Sequence, residues 1–180
     1  MDDLARLVGE RLRGARRERG LSLAALAQAA GIGKGSLSEI ENGARNPTLS
    51  TLYALAGTLG VPLATLLAER AGARISSPGI EARLLDVSRD DRSIVEVYRL
   101  RLDPGAAHRS AAHGPGVTEH LLVTGGRARV GRLGQETEIG PGEAARWLSD
   151  VAHGYAAVGA DPVTSVLVIR SPTEWPGGAG

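Results

Sequence analysis

Residues 21–49 read LSLAALAQAAGIGKGSLSEIENGARNPTL, and this stretch decides how the amino-terminal part of the chain folds. Ser22 precedes Leu23, Leu26 and Ala27, an i, i+3, i+4 set that one face of a short helix buries, and its hydroxyl is placed to cap the first turn. Gly31 suits the left-handed turn that ends such a helix over residues 23–30. A second short helix over residues 34–42 opens near Gly33, buries Leu37 and Ile40 at i and i+3, and closes at Gly43. Two short helices joined by a Gly-containing turn of about three or four residues make a helix-turn-helix.

Working outward, Leu4, Leu7, Val8, Leu12 and Ala15 recur at helical spacing before Gly20, so residues 3–18 are expected to form an amphipathic first helix. Arg11, Arg13, Arg16, Arg17 and Arg19 fall mostly on its exposed side, where such a run is either a solvated face or a phosphate-facing one. Downstream, Asn46-Pro47 is a start signal for a fourth helix, with Asn46 as its cap and Leu49, Leu52, Leu55, Ala56 and Leu59 as its apolar stripe. Gly60-Val61-Pro62 ends that helix and starts a fifth through Leu66 and Leu67. Five short helices sharing one core predict an all-helical domain over residues 1–68.

The character of the 180-residue chain then changes once. Residues 69–80, with Gly72, Ser76, Ser77, Pro78 and Gly79, lack an apolar period and are expected to be a linker. Beyond them, β-favouring runs at Ile94–Leu102, Leu121–Val123 and Val163–Ile169 alternate with turns such as Pro104-Gly105, Gly125-Gly126 and Gly140-Pro141-Gly142. Short strands at this spacing predict an antiparallel jelly-roll sandwich or barrel over residues 81–172, followed by a mobile tail over 173–180. The fold class expected is thus α+β with two domains. A net charge of +1 neither demands nor excludes nucleic acid, and the absence of Cys removes disulfides and thiolate metal sites. The charged start does not read as a signal peptide, and no apolar run approaches the roughly 20 residues needed to span a bilayer. A cytoplasmic protein without a membrane partner is expected.

The runs Leu21–Ala27, Gly31-Ile32, Leu37–Gly43 and Arg45–Leu49 together resemble the phage-repressor-like XRE family of DNA-binding domains, over nearly all of residues 6–67. The resemblance implies that the third helix enters the major groove of double-stranded operator DNA while the second lies across the backbone. Lys34, Gly35, Ser36, Ser38 and Glu39 would then face base edges, and Asn42, Asn46, Arg16 and Arg17 complete the expected DNA-contacting set. It also implies an ion pair between Arg16 and Glu41 that ties the first helix to the end of the third, and a loop contact from Asn46 to phosphate. Two departures stand out: Leu23 where the family usually has Gln, and Gly33 where it has Ser or Thr. Because one such domain reads only a half-site, a homodimer on a pseudo-palindrome is expected.

Asp103-Pro104-Gly105, His113, Glu119, Gly126, Gly140-Pro141-Gly142-Glu143 and His153 resemble the two conserved segments of a small cupin domain. The resemblance implies a metal site of two His, a Glu and a later His inside the barrel. The first His falls on Ala111 here, leaving His113, Glu119 and His153, and the Asn often found after the last His is Ala157. These three could hold zinc, iron or manganese; alternatively, the barrel is metal-free and the same groups bind an organic ligand or one another. His108 lies an odd number of residues from His113, so a regular strand would send the two to opposite faces, and His120 should point outward beside Glu119. For the effector itself, Arg99 and Arg101 are candidate carboxylate-binding groups and Trp147 and Tyr155 candidate pocket aromatics, in a domain without Phe. Arg109, Arg127, Arg129 and Arg146 are weaker candidates.

Together these features predict a non-enzymatic, homodimeric transcriptional regulator whose barrel senses a small molecule. The alternatives are a metal-dependent cupin enzyme tethered to DNA and a DNA-binding adaptor whose barrel only dimerises.

Overall fold

The structure, a computed structural model, describes residues 3–173; most of the expected mobile tail lies outside the described residues. Five helices come first: α1 (Asp3–Glu18), α2 (Leu23–Ala29), α3 (Lys34–Glu41), α4 (Leu49–Leu59) and α5 (Leu63–Leu66). Ser22 caps α2 by accepting from the Ala25 amide at 3.1 Å, and Gly31 takes the left-handed φ of 67° that turns the chain into α3. The cap of α4 differs from expectation. Thr48, not Asn46, holds that position and accepts from the Thr51 amide, because Pro47 and Thr48 are still outside the helix. None of the described helices is long and apolar enough to cross a membrane.

Helices α1 and α3 approach so closely that position 9 has no room for a side chain. A Cβ there would collide with the Ile40 carbonyl oxygen and lie 2.9 Å from that of Glu41, whereas one at Gly14, further along α1, would meet nothing within 4 Å. Glycine at 9 therefore sets the depth at which α1 seats on the end of α3.

Ten strands follow: β1 (Arg74–Ser77), β2 (Ile80–Arg89), β3 (Ser93–Leu102), β4 (Ala107–Ser110), β5 (Thr118–Gly125), β6 (Ala128–Arg132), β7 (Thr137–Ile139), β8 (Ala144–Leu148), β9 (His153–Ala157) and β10 (Val163–Pro172). They form a six-stranded sheet in the order β1-β2-β3-β10-β5-β8 and a four-stranded sheet in the order β4-β9-β6-β7. The last eight strands are thereby wound as a jelly roll, with strands distant in sequence lying side by side in each sheet. Alternation along β10 buries Val163, Ser165, Leu167, Ile169 and Ser171 and turns the residues between them outward. The expected linker, by contrast, is partly sheet. Residues 74–77 pair antiparallel with β2, and Ala73 and Ile75 are buried, so the short apolar residues between polar ones were a strand signal too brief to register as a period.

Helical and strand regions share one buried core, with α4 at the seam. Leu52, Leu55 and Leu59 of α4 pack within the helical set, while Tyr53 and Gly57, one turn apart, meet the barrel at His113 and Ala112. Strand β3 reaches back in turn. Buried Glu96 accepts from the Ala64 amide at the start of α5 (2.5 Å) and from the Tyr98 hydroxyl (2.8 Å). Pro62 opens α5 without a side-chain cap of its own, so the carboxyl of Glu96 supplies an acceptor that the helix lacks locally.

Replacing Gly14 by Ala is expected to stabilise the chain by about 0.5–1 kcal/mol, and replacing Gly9 by Ala to destabilise it by about 1–3 kcal/mol, in urea titrations followed by circular dichroism. Equal effects would show that α1 and α3 do not meet as described. Glu96 provides a second test. Burial pushes its carboxyl up to about 7 from an ordinary 4.5, against the opposing pull of the Ala64 and Tyr98 hydrogen bonds. A raised carboxyl pKa keeps the folded state protonated where the unfolded state has ionised, so stability should fall between about pH 4.5 and 7 and level off above. The Glu96→Gln variant should lose that slope and, at pH 8, exceed the parent by up to about 3 kcal/mol; parallel pH profiles would refute the assignment.

Candidate functional site

The face of α3 is sorted by burial into two sets. Leu37, Ile40 and Glu41 are buried, Lys34, Gly35 and Glu39 are exposed, and Ser36 and Ser38 are half-buried at the rim. Gly33 precedes the helix in an extended conformation and gives no side-chain cap, as expected where Ser or Thr is missing. Beside the apolar packing of Leu37 and Ile40, ionic contacts hold the end of the helix. Arg16 of α1 donates to both oxygens of Glu41, at 2.6 and 2.8 Å, and to the Leu21 carbonyl at 2.9 Å. Arg13 adds a bond to the Glu41 carbonyl at 3.0 Å and one to Asn42 Oδ1 at 2.5 Å.

These contacts sort the candidates proposed from sequence. Arg16 forms the ion pair with Glu41 and is thereby removed from the phosphate-contacting set, since its guanidinium is taken on three sides. Asn42 is exposed but already engaged by Arg13, Asn46 is exposed beside Pro47, and Arg17 is exposed on α1. Arg45 was missed. Its exposed guanidinium lies over α3, 3.2 Å from Ser36 Oγ and 3.3 Å from Glu39 Oε2. Its place beside Asn46-Pro47 was the available signal.

Inside the barrel, His113 from the loop after β4, Glu119 from β5 and His153 from β9 come together, their ligand atoms within 4.8 Å of one another. All three are buried. Glu119 Oε1 lies 3.0 Å from His153 Nε2 and 3.5 Å from His113 Nδ1, and accepts from the Ser149 hydroxyl at 2.9 Å. Its other oxygen accepts from the Tyr155 hydroxyl. Burial alone would favour the neutral acid, but the bond and charge of His153, with His113 and Tyr155, hold the Glu119 carboxyl down to about 2. Burial works against charge on His153 and is outweighed by Glu119, which raises it; His113, where burial prevails, is pushed down to about 4. Glu119 thus favours charge on His153, while burial favours the neutral form of His113.

The surroundings correct several expectations. Arg99 and Arg101 are exposed on the outer face of β3, with Arg101 paired to Asp103, because alternation gives the inner face to Tyr98, Leu100 and Leu102. Trp147 and Tyr155 do border the group, with ring centroids 6.2 and 5.8 Å from His153. His120 is exposed, as its neighbour's inward position requires. His108 is buried alongside the group rather than turned away, since β4 ends at Ser110 and parity does not carry across the loop to His113. It sits opposite Tyr155 in the sheet register, and Ser110 sits opposite His153. The side-chain polar atoms His108 Nε2, Ser110 Oγ, His113 Nε2 and Trp147 Nε1 are buried without hydrogen-bond partners.

Two imidazoles and a carboxylate drawn from two strands and a loop, with an unpartnered His113 nitrogen among them, fit a divalent ion such as zinc, iron or manganese. Glu119 is satisfied by Ser149 and Tyr155 while His113 Nε2 is left open, so the arrangement serves a metal or a polar organic ligand.

The helix-turn-helix family HTH_3 matches residues 12–66. Over 176 residues the chain is 31% identical to the HTH-type transcriptional regulator SutR of Escherichia coli, covering 96% of this chain and 99% of that protein. Over 58 residues it is 50% identical to the HTH-type transcriptional regulator DdrOP3 of Deinococcus deserti, covering 32% of this chain and 45% of that one. Among solved structures, an HTH_3 family transcriptional regulator from Vibrio cholerae superposes with a TM-score of 0.82 at 28% identity, covering 94% of this chain and 97% of that one.

Removal of the Glu41 carboxylate is expected to leave Arg16 uncompensated in a site that is 13% exposed on the arginine side. Glu41→Ala should cost about 3 kcal/mol in chemical denaturation, and Arg16→Ala a similar amount. Because the two act as one pair, the double variant should cost far less than the sum; simple additivity would show that the pair contributes nothing.

Proposed function

The chain belongs to the family of HTH-type transcriptional regulators, and from that premise we propose that it binds operator DNA sequence-specifically as a homodimer under control of an effector held in its barrel. The observation that carries the reading is the sorted face of α3: an apolar and ionic back fixed to α1, and an open front of Lys34, Gly35, Ser36, Ser38 and Glu39. Lys34 is suited to guanine or phosphate, Ser36 and Ser38 to either, and Glu39 to the amino group of cytosine. Arg17, Arg45 and Asn46 extend the same surface toward the phosphates, and Asn42 flanks it. Gly35 brings backbone close to whatever the helix approaches. A single helix of this length reads a few base pairs, and pairing two copies doubles the site and makes it pseudo-palindromic.

For the effector, support comes from the buried polar group of the barrel. His113, Glu119 and His153 would hold a divalent ion, and such an ion would supply a fixed positive charge on which an anionic or oxygen-donor ligand sits. Trp147 and Tyr155 border that place. In such a regulator the effector acts only through a difference in affinity between the DNA-competent and incompetent arrangements.

Fluorescence anisotropy with DNA from upstream of the chain's own coding sequence, run across a salt series, tests the DNA reading. Tight binding with a steep salt slope is expected. Lys34→Ala should weaken it by about ten-fold and flatten the slope by about one ion, whereas Ser38→Ala should weaken binding with the slope unchanged. Binding no tighter than to random DNA, with a genome-wide site search also empty, would sink the reading.

A further inference from the structure

We propose that the state of the barrel site is passed to the DNA-reading helices through one ring contact, that of Tyr53 with His113. This inference rests on the regulator reading above and specifies how its two parts communicate. Tyr53 belongs to α4 of the helical domain, and His113 belongs to the His–Glu–His group of the barrel. Their ring centroids lie 4.1 Å apart with planes tilted by 30°, and both residues are buried. One turn further along α4, a Cβ at Gly57 would lie 2.8 Å from the Ala112 carbonyl oxygen, so the helix backbone rests directly on the residue before His113. A small cavity between α4, the start of α5 and the barrel is lined by Tyr53, Gly57, Leu63, Glu96 and His113.

His113 is held from three directions, which makes it the pivot. Its amide donates to the Ser149 carbonyl at 2.7 Å, and Ser149 in turn donates through its hydroxyl to Glu119. Its Nδ1 faces Glu119 at 3.5 Å, its ring stacks on Tyr53, and its Nε2 has no partner. A ligand that takes up His113 must therefore fix or shift a ring on which α4 is seated. Helix α4 shares its core with Leu37 and Ile40 of α3, so a change in its seat is carried to the recognition helix as a rigid-body change in presentation. In a dimer, such a change alters the spacing of two recognition helices, and half-site spacing is what the operator measures.

A double-mutant cycle on the full chain tests this, with His113→Ala, Tyr53→Leu, both together, and Tyr53→Phe as the variant that keeps the ring. The first readout is amide hydrogen exchange over residues 49–59. Each single variant is expected to speed exchange there by about ten-fold, the double by no more than either single, and Tyr53→Phe by little. Additive effects, or exchange in α4 that His113→Ala leaves within about two-fold of the parent, overturn the proposal. Should Tyr53→Leu fail to fold, Gly57→Ala replaces it in the same cycle, since its Cβ presses α4 off the Ala112 carbonyl and meets only backbone atoms of Ala112 and His113. The second readout is affinity for the DNA identified above: His113→Ala should shift it in the parent and leave it unmoved in the Tyr53→Leu background. Coupled exchange without any change in DNA affinity also overturns the proposal. A parent chain that binds no specific DNA defeats the regulator reading itself, and with it the signal assigned to this contact, while the exchange cycle still reports whether the seam is coupled.

Discussion

Helix α4 has to satisfy two cores at once, and much of the architecture follows from that constraint. Its buried residues form one broad face, with Leu49, Leu52, Leu55, Ala56 and Leu59 across it and Tyr53 at the edge toward the barrel, next to half-buried Gly57. A helix packed on one side needs an apolar stripe; one wedged between a helical set and a barrel needs apolar or small groups on both. Close packing then makes the choice at each barrel-facing position sharp, a ring at 53 and no side chain at 57. Because α3 packs on the same core, the direction in which α3 points is set relative to the barrel rather than left to a tether.

Three buried glutamates show how partners, more than burial, decide what a carboxylate does in this chain. Glu41 meets two guanidinium groups and becomes a clamp between α1 and α3. Glu119 meets an imidazole, a phenol and a hydroxyl, and its ionised form is held through a full set of donors despite having no exposure. Glu96 meets an amide and a phenol, and burial shifts it toward the neutral acid. The cost of desolvating a carboxylate is similar in the three places; the compensation is not. Structural clamp, ligand group and interdomain cap are thus the same side chain in three different company settings.

The helical half was legible because its signals are local. Apolar residues at i, i+3 and i+4, a capping Ser22 and a left-handed Gly31 each act within one turn of chain, and the α1, α2 and α3 boundaries fall within a residue of those expected. The α4 cap was misplaced by two residues, since Asn46 and Thr48 are both good capping types and only the path of Pro47 chooses between them. In the barrel half, His113, Glu119 and His153 were drawn from the pattern of a resemblance and do converge. Arg99 and Arg101 were misplaced for lack of a strand register, and His108 because a parity rule was carried through a loop in which it does not apply.

The sequence by itself therefore determined a helical part followed by a strand-rich part, the helix-turn-helix and the residues able to meet in the barrel, because periodicity, caps and motif spacing are properties of neighbouring residues. Which face of each strand looks inward, that residues 74–77 join the sheet instead of linking two bodies, and that Tyr53 lies on His113 were decided only in the tertiary structure. Those contacts join segments tens of residues apart, and nothing in the spacing of either segment records the surface it will be packed against.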